Sequence, residues 1–399
     1  MPSPTELRES LVQRLREGQE GISDPVLAAF AAVARHLFLP DVAIESAYCD
    51  EAIVTRRDED GRAVSSSSQP AMMAIMLDQL GLAPGQRVLE VGAGTGYNAA
   101  LMARLVAPGG EVVTVDIDAD VADGARDGLA RAGYPDVHVV CGDGAAGCAE
   151  RAPYDRIIAT VGVWDLSPAW LAQLAPGGRI VVPLDLGGPQ LSVALEAEDG
   201  HWASRSVVPC GFMRLRGDNA GPERTEVVNP DSDLMIMLPR GGDLDRDEML
   251  TALAGAPVLR RTDVEACRRE VLGGLGLWLA AGEGRWCVLS ESDTAGSPLL
   301  PETALRVQDR RVSAGLWAPE GIALLGAEGE TLIVLGYGPG GAELATTLAE
   351  QVRTWQAAGR PGSRGLRVAV HPRSTSDGEL TGHHILDKTH TRLAVSWAG

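Results

Sequence analysis

Apolar positions change period along this chain, and the changes divide it. Leu7, Leu11 and Leu15 recur at four-residue intervals, which predicts a helix over residues 4–20. A second helix, 25–37, starts at Asp24-Pro25, with an acid and a proline where a helix start favours them. Residues 40–68 have no clear period. They hold a turn signal, Arg56-Arg57-Asp58-Glu59-Asp60-Gly61-Arg62, and then Ser65-Ser66-Ser67-Ser68-Gln69-Pro70. Met72, Met73, Met76 and Leu77 predict a helix from Pro70 to Leu80. Short apolar runs then alternate with helical stretches. Strands are predicted at 87–91, 111–116, 137–140, 156–160 and 179–183, with helices at 98–106, 119–132 and 168–174. Residues 191–196 and 204–209 read as a closing antiparallel pair. Strands alternating with helices predict an α/β fold, a parallel Rossmann-like sheet covered on both faces.

Gly, Asn, Pro and Glu accumulate over 218–230, which reads as a linker between domains 1–220 and 221–399. Beyond it the periodicity weakens. Helices are expected at 245–254, 262–272 and 342–358, and strands at 286–290, 321–325, 331–337, 366–372 and 391–397. The second domain is therefore expected to be α/β or α+β. Trp278, Trp286, Trp317, Trp355 and Trp397 are read as its core.

Composition excludes some functions. The net charge of −19 argues against nonspecific nucleic-acid binding, which needs a basic footprint. No run of about 18 apolar residues exists, so no membrane span is expected. The first 20 residues are charged and lack the apolar centre of a signal peptide, and a cytoplasmic location is expected. The six cysteines are scattered without a CxxC pair, as free thiols of a cytosolic protein would be. His383, His384 and His390 lack metal-ligand spacing, and no metal is expected.

The chemistry gathers at Val88-Leu89-Glu90-Val91-Gly92-Ala93-Gly94-Thr95-Gly96-Tyr97, a predicted strand, a glycine turn and a helix start. Glycines at alternate positions let a ligand approach the backbone closely. A dinucleotide fold uses G-x-G-x-x-G, whereas the spacing here is G-x-G-x-G. Asp116 ends the next strand, in position to accept from two ribose hydroxyls. Asp143, within Gly142-Asp143-Gly144, ends the third, in position to hold an adenine amino group. The acidic Glu90 favours a cationic ligand. The set predicts a class I S-adenosylmethionine-dependent methyltransferase fold, with S-adenosylhomocysteine as product.

The same residues carry a resemblance. Ser68-Gln69-Pro70, the loop Val88 to Tyr97, Gly142 to Gly144, Ala152 to Asp155, Gln173 to Arg179 and Phe212 to Gly217 occur in the order of motifs in the protein-L-isoaspartate O-methyltransferase family, which this chain resembles over 47–217. The resemblance implies methyl esterification of a peptide carboxylate. Ser68 is then the catalytic hydroxyl that holds the carboxylate. The implied cofactor set is Ser68, Gln69, Glu90, Gly92, Ala93, Gly94, Gly96, Tyr97, Asp116, Ile117, Asp143 and Gly144, and Ser67 and Met72 face the substrate.

Three departures bear on the substrate. The chain runs well beyond the family's closing motif. The proline of that motif is Arg214, followed by Arg216. The loop before Ser68 is rewritten as 56–62. Such features resemble family members that modify ribosomally made, macrocyclised peptides, such as lanthipeptides and graspetides. The implied partner is a peptide whose Asp or isoAsp is esterified, with collapse to an aspartimide or isoaspartate. Arg56, Arg57, Arg62 and Arg214 would then receive an acidic peptide. General repair of isoaspartyl proteins is the alternative. A non-catalytic S-adenosylmethionine-binding scaffold is disfavoured by the joint presence of Ser68, Asp116 and Asp143.

Overall fold

The computed structural model describes residues 2–18, 21–59, 61, 63–241, 243–294, 298–307 and 309–397. Arg62 lies outside the described residues. The chain opens with α1 (Pro4–Gly18), α2 (Asp24–Ala32) and the short α3 (Ile44–Ala47). Helix α2 stops earlier than its periodicity predicts, and a 3-10 turn, Arg35–Phe38, replaces its last turn. The stretch without periodicity folds as a hairpin, β1 (Ile53–Arg57) against β2 (Ala63–Ser67).

Next come α4 (Pro70–Leu80), β3 (Arg87–Val91), α5 (Tyr97–Val106), β4 (Glu111–Asp116), α6 (Ala119–Arg131), β5 (His138–Cys141), β6 (Tyr154–Ala159) and α7 (Pro168–Gln173). Strands β7 (Leu174–Asp185), β8 (Gln190–Glu198) and β9 (His201–Cys210) complete this half. Strands β3 to β7 are parallel, in the order β7-β6-β3-β4-β5, and β8 and β9 add antiparallel. Alternate residues face opposite layers. Val88, Val112, Ile158 and Val181 pack beneath α1, α2, α4 and α5 with Phe30, Leu77 and Leu101. Leu89, Val113, Ile157 and Ile180 pack on the other face with Trp170. Since β3 has β4 on one side and β6 on the other, the turn after β3 opens at the switch point where open α/β sheets bind ligands.

The second half contains β10 (Arg224–Asn229), β11 (Leu234–Leu238), α8 (Arg246–Ala254), β12 (Val258–Glu265), α9 (Arg268–Glu270), α10 (Gly276–Gly282), β13 (Trp286–Ser292), β14 (Leu305–Val307), β15 (Arg310–Ala318), β16 (Gly321–Glu328), β17 (Thr331–Tyr337) and α11 (Gly341–Ala357). These strands form one antiparallel sheet, β10-β11-β13-β15-β16-β17-β12, with β14 against β15. Leu344, Leu348 and Trp355 of α11 cover one face, and Met249 and Leu253 of α8 the other. Two expectations fail here, the second in part. The expected linker contains β10. The helix expected at 262–272 holds only in its second part: edge strand β12, paired with β17, runs to Glu265, and a continuous helical run follows from Arg268 through a π-helical turn (Val271–Leu275) to Gly282.

The last strands, β18 (Leu366–Pro372), β19 (His384–Asp387) and β20 (Thr391–Trp397), return to the first sheet. They extend it as β19-β20-β18-β9. The sheets therefore divide the chain differently from a boundary at 220/221. No helix among the described residues is long and apolar enough to cross a membrane.

Candidate active site

A cavity of about 380 Å³ opens above β3, β4 and β6. The glycine turn forms its floor. Gly92, at φ 101°, leaves no room for a side chain, since a Cβ there would meet Thr160 Oγ1 at 2.8 Å. Thr160 Oγ1 donates to the Gly92 carbonyl at 2.7 Å, and the Gly92 N–H donates to the Val115 carbonyl at 2.8 Å, so the turn is fixed from both neighbouring strands. Gly94 faces the Ser66 carbonyl, 3.2 Å from where a Cβ would stand. Gly96 does not reach the cavity. It packs α5 on α6, against the Ala125 carbonyl and Leu129.

Asp116 lies on the wall, with Ile117 beside it. Its Oδ2 accepts from Gly94 N–H and its Oδ1 from Asp118 N–H, both at 3.2 Å. Burial raises its pKa, with the two N–H donors opposing. Glu90 also borders the cavity, but both its oxygens are engaged within the protein: Asn98 Nδ2 donates at 2.7 Å and Thr114 Oγ1 at 2.6 Å. Full burial lifts this carboxyl to about 7. Asp143, expected at the adenine, does not line the cavity. Its Oδ1 accepts from Ala145 N–H and its Oδ2 from Asp218 N–H, each at 2.8 Å, because the chain at Gly217 folds back over it. Gly144 takes that place on the wall, with Ala93, Tyr97 and Met72.

The serine run forms the opposite wall, and all four residues border the cavity. The Ser65 hydroxyl accepts from Thr55 at 3.2 Å, and Ser67 Oγ from Arg35 at 3.3 Å. The hydroxyls of Ser66 and Ser68 have no partner among the described residues. Gln69 lines the edge and donates to the Asp50 carboxylate at 3.1 Å, while Asp50 accepts from Ala71 N–H at 2.8 Å and so caps α4.

Pattern reading missed Arg35. It is fully buried, and its guanidinium donates to the carbonyls of Ala47, Cys49, Glu51, Ser67 and Ser68. It thereby ties the 3-10 turn to the serine loop from below, and it stands 5.9 Å from the Tyr97 ring centre. Its only local signal is a lone cation within an apolar run.

Most of the expected peptide-binding arginines are already engaged. Arg56 pairs with Asp118 at 3.7 Å and Asp120 at 3.4 Å, and Arg57 donates to the Gly61 carbonyl at 2.9 Å; neither lines the cavity. Arg214 does line it, yet it is ion-paired with Asp185 and Glu223, and burial lowers its pKa to about 10. Arg216 pairs with Asp118 at 2.5 Å. Residues 212–215 cross the mouth, held by Gly162 and Gln190. Cys210 also lines the cavity, with its thiol pushed by burial up to about 12 and so unreactive at neutral pH.

The donor set fits S-adenosylmethionine. The glycine cradle excludes side chains, Asp116 presents a carboxylate, and the two arginines of the lining are both neutralised by acids. Among the described residues the lining offers a phosphate no unpaired cation. A nucleoside with a cationic centre meets the Asp116 carboxylate instead.

The model of the protein-L-isoaspartate(D-aspartate) O-methyltransferase family matches residues 6–220. The protein-L-isoaspartate O-methyltransferase of Methanopyrus kandleri is 40% identical over 218 residues, covering 54% of this chain and 94% of that protein. The one from Hyperthermus butylicus is 42% identical over 223 residues, covering 53% and 90%. A solved protein-L-isoaspartate O-methyltransferase structure aligns with 98% of this chain and 99% of its own, at TM-score 0.54 and 23% identity, so it shares the fold of both halves. The chain belongs to the protein-L-isoaspartate(D-aspartate) O-methyltransferase family.

Proposed function

We propose that this enzyme methylates isoaspartyl carboxylates in peptides and proteins, with Ser68 as the hydroxyl that orients the acceptor. The observation that carries it is the Ser68 hydroxyl, unpartnered among the described residues, in one cavity with the Gly92–Gly94 cradle and Asp116. When bound, S-adenosylmethionine supplies the methyl group and leaves as S-adenosylhomocysteine. The carboxylate is ionised at neutral pH, so no general base is required. The chain's contribution is alignment. Ser68 donates to one carboxylate oxygen, Arg35 holds the backbone of Ser67 and Ser68, and the hairpin β1–β2 with residues 212–215 limits water. Gly92, Gly94, Asp116, Ile117 and Gly144 are assigned to the cofactor, and Met72, Ser66 and Ser67 to the acceptor side.

The narrower reading, an Asp in a macrocyclised ribosomal peptide, rested on the extension, the altered closing motif at Arg214 and Arg216 and the rewritten loop 56–62, whose arginines would receive an acidic peptide. Arg56, Arg57 and Arg214 are engaged, and a solved protein named for the general activity aligns over the same full length. Both facts favour the general substrate class. The test is methyl transfer, followed by mass, to a linear isoaspartyl peptide, its Asp counterpart and a macrocyclised Asp peptide. Esterification of the first alone is expected; esterification of the macrocycle alone would reverse the choice. Ser68→Ala is expected to lower kcat/KM by roughly 10- to 100-fold, the loss of one hydrogen bond to a charged group. Unchanged turnover would remove Ser68 from its role.

A further inference from the structure

A second cavity, of about 300 Å³, lies on the second domain between Pro239, Arg240, Arg285, Trp286, Trp317 and Pro319. We propose that it anchors a carboxylate-bearing segment of the polypeptide substrate, upstream or downstream of the residue being methylated. The inference rests on the peptide-methylating reading above and specifies how such a substrate is held.

Two guanidiniums and an apolar wall define the ligand. Arg240, at the lip, makes no hydrogen bond or ion pair with any described residue. Arg285 is only partly spent: Nε and Nη2 pair with Glu283 at 3.0 and 3.2 Å. The buried indole N–H of Trp286 has no acceptor. It lies beneath the Gly187–Gly188 turn, 3.1 Å from where a Gly188 Cβ would stand. The Trp286 N–H is closed off against that turn, so the donors open to a ligand are the two guanidiniums, which want an oxygen acceptor, best a carboxylate, for charge-assisted bonds. The half-buried face of Trp317 and the rings of Pro239 and Pro319 add an apolar wall for the rest of a peptide. In a chain of net charge −19, this lining holds two guanidiniums and no carboxylate, the nearby acids Glu283 and Glu343 lying outside it.

Its position gives this cavity a purpose. Arg214 lines the active-site cavity and pairs with Asp185. Asp185 Oδ1 accepts from Gly187 N–H and Gly188 N–H, both at 2.7 Å. The far side of Gly188 touches Pro239, Met237 and Trp286. One four-residue turn, 185–188, therefore separates the two cavities. A bound peptide that occupies both cavities passes over this turn. Such an anchor raises the local concentration of the reacting carboxylate without touching the chemistry.

The test compares the full-length enzyme with Arg240→Ala and Trp317→Ala. Three probes serve: a long isoaspartyl peptide with glutamates on both flanks of the isoaspartate; a short isoaspartyl peptide without them; and the glutamate segment alone. The long peptide is expected to show a KM about tenfold below the short one, the effect of a second contact. Both variants are expected to abolish that advantage, with kcat and short-peptide KM unchanged. The glutamate segment alone is expected to quench tryptophan fluorescence in the wild type and to bind about tenfold more weakly to Arg240→Ala. Equal KM for the two peptides in the wild type, or equal damage to both peptides in the variants, overturns the anchor. Segment binding without methylation of any isoaspartyl peptide leaves the anchor standing and refutes the activity. Methylation without segment binding does the reverse.

Discussion

At the scale of single residues, the cavity separates two carboxylates that look alike in sequence. Glu90 has no exposure and both oxygens occupied, while Asp116 stands on the wall. Burial raises Glu90 to about 7, above the roughly 4.3 of a free glutamate. The folded state therefore holds the proton more tightly. That contribution is complete below about pH 4.3 and is lost as pH rises through 7. Glu90→Gln removes the titration. Relative to wild type without cofactor, the variant should gain on the order of 2 kcal/mol of unfolding free energy between pH 5 and pH 8, measured by urea titration. A pH-independent difference would reject the assignment. For Asp116 the prediction concerns the ligand: Asp116→Ala should weaken S-adenosylmethionine by about 1–3 kcal/mol in calorimetric titration, the worth of hydrogen bonds to a charged group. Unchanged affinity would displace Asp116 from the ribose.

Among elements, the serine loop depends on a residue outside it. Arg35 reaches carbonyls 12 to 33 positions away, and no local pattern encodes such a reach. This is why the glycine turn, Asp116 and Ser68, which the structure gathers at one cavity, could be picked out as candidates while their support could not. A strand and its turn are written in adjacent residues, but a buried cation reads as a stray charge until the chain is folded. The same limit explains Asp143. Its place at a strand end was legible, and its capture by the backbone of Asp218, 75 residues on, was not. Arg35→Met leaves those carbonyls without their donor. It should cost about 3–5 kcal/mol of stability, as breaking a buried polar network does. It should also speed hydrogen exchange at Ala71, whose N–H depends on Asp50 behind the same loop. Exchange confined to other segments would show that Arg35 does not organise this wall.

At the scale of the molecule, periodicity identified β13, β16, β17, β18 and β20 of the second half, fewer than half of its strands, and none of their partners. The strands at 366–372 and 391–397 were legible as strands; that they rejoin the first sheet depends on pairing with β9, 164 residues earlier at Ser204–Val368. The consequence is physical. Val368, Val370, Leu393 and Val395 are buried in the same cluster as Ile157, Ile180 and Trp170, under the catalytic sheet. Buried Lys388 donates to the Asp185 carbonyl at 2.8 Å, and Asp165 accepts from Thr391 Oγ1 at 2.6 Å, so polar contacts also cross this seam. A chain shortened to residue 221 would keep every cavity-lining residue of the active site. It would nevertheless expose the β9 edge and the apolar layer that β18 and β20 cover. Each such side chain contributes about 1.5–3 kcal/mol when buried, and open edges invite association. The shortened chain should therefore unfold at least about 10 °C lower by calorimetry, given a few degrees per kcal/mol at this size, and aggregate in light scattering. A monomeric shortened chain with unchanged melting temperature would mean that the terminal strands decorate the catalytic sheet without supporting it.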